Sequence, residues 1–101
     1  MTNKSLGELL REQREQKGLL LREVAAALEM DTALLSKVER DERKPNKEQV
    51  LAFAKYYQAN SEDFLVAWLS DKLVFDLQDE DLALKAMQVA EEKIKYQKRK
   101  K

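Results

Sequence analysis

Apolar residues in this chain recur at intervals of three and four, the spacing that lines one face of a helix. The first run opens at Ser5 and Glu8, an S-x-x-E capping-box pattern, and continues through Leu6, Leu9 and Leu10. Gly18 stands where a helix C-terminus favours glycine, so the pattern predicts a helix over 6–17. Gly7 falls too early in that helix to end it. Val24, Ala25 and Leu28 face inward in a second helix over 21–28. After a short turn at Glu29 and Met30, Asp31 caps a third helix over 32–39, with Leu35 and Val38 inward. A polar loop, 40–45, ends at Pro45. Asn46 and Gln49 then repeat the capping pattern and open a fourth helix over 47–57, with Val50, Leu51 and Ala54 inward. Ser61 is placed as the cap of a fifth helix whose apolar face is Phe64, Leu65, Trp68, Leu69 and Leu73. Residues 78–81 form an acidic break. A sixth helix over 82–96 carries Ala83, Met87, Ala90 and Ile94 on one stripe, with Leu82, Ala86 and Val89 beside it. No internal repeat is visible.

Composition narrows what such a helical chain does. At 101 residues it is long enough for one domain with its own core. It has no cysteine and no histidine. That removes disulfides, thiolate metal sites, the commonest general base and the commonest metal ligand. No metal or other cofactor is therefore expected. Catalysis would need carboxylates or lysines gathered in a cleft, but the acidic residues scatter over helix surfaces, and no glycine loop is available to cradle phosphate. An enzyme is not expected. No apolar run is long enough to span a membrane, and "MTNKSLGELLREQ" has no signal-peptide core. The chain is read as soluble and cytoplasmic.

The net charge is zero, yet it is unevenly distributed. Residues 1–45 carry nine basic and nine acidic side chains, residues 46–92 four basic and ten acidic, and residues 93–101 six basic and none acidic. A balanced first part, an acidic middle and a basic tail read as surfaces with different partners. The corresponding division is a first domain over 1–60, C-terminal helices over 61–97 and a basic tail over 98–101.

Two short helices joined by a three- or four-residue turn make the helix-turn-helix arrangement. Small Ala25 lets the pair approach, and Leu28, Leu35 and Val38 close the core between them. The segments "LREQREQKGL" and "REVAAALEMDTALLSKVER", followed by a proline and a capped helix, resemble the XRE family of Cro/cI-type helix-turn-helix repressors over residues 6–57. The resemblance implies an all-α, five-helix lambda-repressor-like helix-turn-helix domain, here with an additional C-terminal helix. It further implies that the third helix enters the major groove of double-stranded DNA. Carried over position by position, Thr32, Ala33, Ser36 and Lys37 face the bases. Lys37 can donate to guanine O6 and N7, Ala33 and the Thr32 methyl can meet a thymine methyl, and Ser36 can pair with several bases. Arg22, Arg40, Arg43 and Lys44 are the phosphate candidates, which position without reading.

The chain departs from the family pattern in three places. Leu20 stands where a Ser or Thr usually caps the second helix, a loss of about 1 kcal/mol that a Leu19–Val24 staple and Glu23 can offset in part. Leu21 replaces a phosphate-binding Gln. Glu29 and Asp41 occupy turn positions often held by Gly and add negative charge near the proposed DNA face. The apolar "GLLL" stretch either folds back onto another helix or meets a protein partner.

Half-sites about one helical turn apart require two copies of such a reader, so a homodimer is expected. Phe64, Leu65, Trp68, Leu69 and Leu73, with Met87, Ala90 and Ile94, are assigned to the dimer interface, although core burial competes for about half of the aromatic cluster. The stripe on the sixth helix is too short to sustain a coiled coil alone. The tail "KIKYQKRKK" either grips phosphates without sequence preference or aids solubility. The competing functional class is a protein-interaction adaptor, or an antitoxin-like module, on the same fold.

Overall fold

The computed structural model describes residues 3–99. Six α-helices account for its regular structure: α1 (Leu6–Gln16), α2 (Leu21–Ala27), α3 (Thr32–Glu39), α4 (Lys47–Tyr57), α5 (Ser61–Leu77) and α6 (Ala83–Arg99). No strand occurs among the described residues. The fold is all-α and contains a helix-turn-helix. The first four helices lie within one residue of the limits read from the sequence. The sixth starts one residue later than expected and runs three residues further.

The first compact unit extends through Asp71. Its interior is built from Leu6 and Leu10 of α1, Val24 and Ala25 of α2, Leu35 and Val38 of α3, Val50, Phe53, Ala54 and Tyr57 of α4, and Phe64, Ala67 and Trp68 of α5. α3 packs on α1 and α2, and α1 packs on α4. Two expectations are corrected here. Leu51 is 40% exposed, because it points away from the stripe formed by Val50, Phe53, Ala54 and Tyr57. Phe64 and Trp68 are core residues rather than an exposed dimer face, and Leu65 packs partly against the same core. The opening turns of α5 are thus needed to close the interior, so the compact unit does not stop at residue 60.

Four consecutive helices end in the same way. At each C-terminus one residue takes a left-handed conformation, and the two amides there bond back to the last turn, the Schellman arrangement. Gly18 (φ 65°) closes α1, with Gly18 N–H on the Glu15 carbonyl and Leu19 N–H on the Arg14 carbonyl. Glu29 (φ 56°) closes α2, Asp41 (φ 62°) closes α3 and Gln58 (φ 54°) closes α4. Their following residues, Met30, Glu42 and Ala59, donate to the carbonyls of Ala25, Lys37 and Ala54. Only the first of the four has glycine, the residue that accepts this conformation without steric cost.

Side chains fix the helix starts. Ser5 and Glu8 form the reciprocal box at α1, and Asn46 and Gln49 form it at α4. α5 departs from expectation: the Asn60 side-chain oxygen accepts from Asp63 N–H at 3.1 Å, so Asn60 takes the capping role that the sequence assigns to Ser61. The Trp68 indole donates to the Pro45 carbonyl at 2.8 Å and ties the loop before α4 to α5.

The second unit begins at Lys72. It holds the last turns of α5, a turn that includes Asp79 to Asp81, and α6, with no buried side chain among its described residues.

Candidate nucleic-acid interface

α2 and α3 are joined by the turn at 28–31, which Met30 N–H on Ala25 O (2.8 Å) holds shut. Asp31 then caps α3 by accepting from Ala33 N–H at 2.8 Å. α3 divides cleanly. Leu35, Val38 and Glu39 are buried, while Thr32, Ala33 and Lys37 are exposed and Ser36 is half-buried. The four residues assigned to base reading therefore share the side of the helix that the core leaves uncovered.

A buried ion pair fixes the attitude of that helix. The Arg14 guanidinium reaches both carboxylate oxygens of Glu39, from Nε at 2.9 Å and from Nη2 at 3.0 Å, and its Nη1 donates to the Leu19 carbonyl at 3.1 Å. One arginine of α1 thus holds the last turn of α3 and the entry to α2. The bond to Glu39 also makes Arg14 hold its proton more tightly than usual, against the cost of burial. Tyr57 lies in the same electrostatic neighbourhood with a buried hydroxyl that has no hydrogen-bond partner. Burial, and then the negative charge of Glu39, push its ionisation above the ordinary range, so it stays neutral.

The loop after α3 is held at both ends. Its Pro45 end is fixed by Trp68. At its start, Asp41 places its carboxylate on the N-terminus of α1, accepting from Ser5 Oγ at 2.7 Å and from Gly7 N–H at 3.2 Å. Between these anchors Arg43 and Lys44 are exposed. Arg40, also exposed, pairs with Glu42 at 3.2 Å. Arg22 is exposed on α2. The uncapped start of α2 is served by Glu23, whose carboxylate accepts from Leu20 N–H at 2.8 Å. In the "GLLL" stretch Leu19 and Leu21 pack against the core, and Leu20 is 48% exposed.

Sequence reading missed the residues that anchor α1. Its first three amides find three separate acceptors: Leu6 N–H bonds Asp71 at 2.9 Å, Gly7 N–H bonds Asp41, and Glu8 N–H bonds Ser5 Oγ at 3.2 Å. Only the last is a local pattern. Gly7 is required by the same junction, since a β-carbon there would lie 2.7 Å from the carbonyl oxygens of Val38 and Glu39 and closer still to Asp41.

No curated protein was found that matches the chain. The sequence model of the helix-turn-helix domain family matches residues 5–67, which spans α1 to α4 and the start of α5 as far as Ala67. The chain belongs to the helix-turn-helix domain family.

Proposed function

We propose that the protein is a sequence-specific, DNA-binding transcriptional regulator of the Cro/cI type that acts as a cytoplasmic homodimer on a pseudo-palindromic operator. The observation that carries this reading is the divided α3: an apolar half held by the core and by Arg14, and an outer half of Thr32, Ala33, Ser36 and Lys37. Arg22, Arg40, Arg43 and Lys44 supply the phosphate contacts that set its register. Its work is binding rather than catalysis, and no cofactor enters the proposal. No helix of the described residues is long and apolar enough to cross a membrane.

The test is selection of a preferred site from random duplex, followed by Lys37→Ala. Loss of a base contact costs about 1–3 kcal/mol at the preferred site and much less on random sequence. Equal losses on both DNAs would make Lys37 a phosphate contact. The second reading, a protein-binding adaptor, is favoured by one observation: Leu20, at the entry to α2, is exposed. Absence of any binding to random duplex at low salt would select the adaptor.

A further inference from the structure

α6 is 17 residues long and has no buried side chain. In proteins most helical stability comes from packing an apolar face rather than from propensity. Such a face is present. Ala83, Met87, Ala90 and Ile94 follow one another at steps of four, three and four along α6, and Ile94 is 55% exposed. Small and large residues alternate along this stripe.

That alternation discriminates between ways of pairing two copies. In parallel pairing each residue meets its own counterpart, so Ala83 faces Ala83 and leaves a gap, while the bulk of Ile94 faces itself. In antiparallel pairing about an axis between Gln88 and Val89, Ala83 meets Ile94 and Met87 meets Ala90, so that every layer joins a small residue to a large one. Charge makes the same choice. Asp79, Glu80 and Asp81 precede the helix, and Lys93, Lys95, Lys98 and Arg99 end it. Antiparallel pairing lays the acidic start of one helix over the basic end of the other, whereas parallel pairing stacks like on like. The opposed helix dipoles favour the same arrangement.

We infer that α6 pairs antiparallel with α6 of a second copy of this chain, in a two-fold interface whose apolar layers are Ala83 with Ile94 and Met87 with Ala90. A self-complementary patch of this kind closes after two copies. The inference rests on the homodimer reading above and specifies its interface. It also gives the basic end of α6 an occupation other than DNA. Lys100 and Lys101 of the tail lie outside the described residues.

The chain has no cysteine, so engineered thiols report without background. Full-length Ala83→Cys and Ile94→Cys chains are mixed and oxidised under native conditions. The mixture is expected to give several-fold more cross-linked dimer than either variant alone, because only opposed positions approach within disulfide reach. As a second measurement, Lys98→Glu with Arg99→Glu should weaken the dimer at low salt, and mixing with chains carrying Asp79→Lys and Glu80→Lys should restore it. Cross-linking of Ile94→Cys with itself in preference to the mixture would overturn the antiparallel arrangement. A dimer by sedimentation without either cross-link would place the interface elsewhere and leave the homodimer reading standing. A monomeric wild-type chain would remove both.

Discussion

Through Asp71, thirteen apolar side chains are buried around α1 to α5, and the polar groups at that junction have found distant partners. From Lys72 onward the described residues are equally helical, yet Leu73, Val74, Phe75, Leu82, Leu84 and Ile94 are all exposed. The two regions share a secondary structure and differ in what sustains it. In the first, each apolar stripe meets another stripe of the same chain. In the second, the stripe on α6 is complete within itself but has nothing buried behind it. Helical periodicity specifies a face without specifying what covers it.

The sharpest test of this contrast compares one side chain from each region. Phe53→Ala, which empties a fully buried site, should cost about 3–5 kcal/mol in urea unfolding. Ile94→Ala, on an exposed site, should leave the unfolding of a dilute chain within about 0.5 kcal/mol and act on dimer formation instead. Similar losses for both would mean that α6 is part of the same cooperative interior.

A second break leaves a charge stranded. Glu39→Ala removes the partner of the buried Arg14 guanidinium and should cost about 3 kcal/mol or more. The joint replacement Arg14→Met with Glu39→Leu should cost distinctly less, because it strands nothing. A double variant as unstable as the single one would show that losing the Arg14–Leu19 bond at the entry to α2 costs as much as stranding the charge.

The left-handed closures offer a gain. Glu29→Gly removes the steric penalty of φ 56° and should raise stability by about 1 kcal/mol, read as a shift in the urea midpoint. No gain would mean that the glutamate side chain supports the turn it strains.

The smallest effect is a matter of pH. Burial raises the Asp71 carboxyl above its ordinary range; the Leu6 amide and Lys44 work against this, while Asp41 and Glu8 add to it. The folded state therefore binds this proton more tightly than the unfolded state. Its contribution is fully present below the ordinary carboxylate range and is lost as pH rises through the raised value. Asp71→Asn keeps an acceptor for Leu6 N–H and does not titrate. Its melting temperature relative to wild type should therefore climb from about pH 3 to neutrality. A flat difference would mean that the carboxyl is not perturbed.

Much of the first unit was legible in the sequence because its signals are local. The S-x-x-E and N-x-x-Q boxes gave the starts of α1 and α4, and Gly18 gave the end of α1. The outward face of α3 followed from the inward positions of Leu35 and Val38. The failures share a different cause. Whether Leu51 or Phe53 points inward, and whether Phe64 and Trp68 are core or surface, depends on where α5 lies against α1 and α4. Asp71 binds an amide 65 residues earlier, and no pattern along the chain announces it. Gly7 carries no helix-ending role in the sequence, and only the carbonyls of Val38 and Glu39 beside it show why a glycine stands there.

The capping of α1 has a consequence for how the protein can be watched. The Leu6 amide has no acceptor within its own helix; its proton is shielded by a carboxylate from the middle of α5. Its exchange with solvent deuterium therefore reports on α5 rather than on α1. Whenever Asp71 withdraws, Leu6 should exchange, while Glu8, held by Ser5, stays protected. One backbone position at the start of the chain thus serves as a built-in gauge of whether the edge of the compact unit is closed.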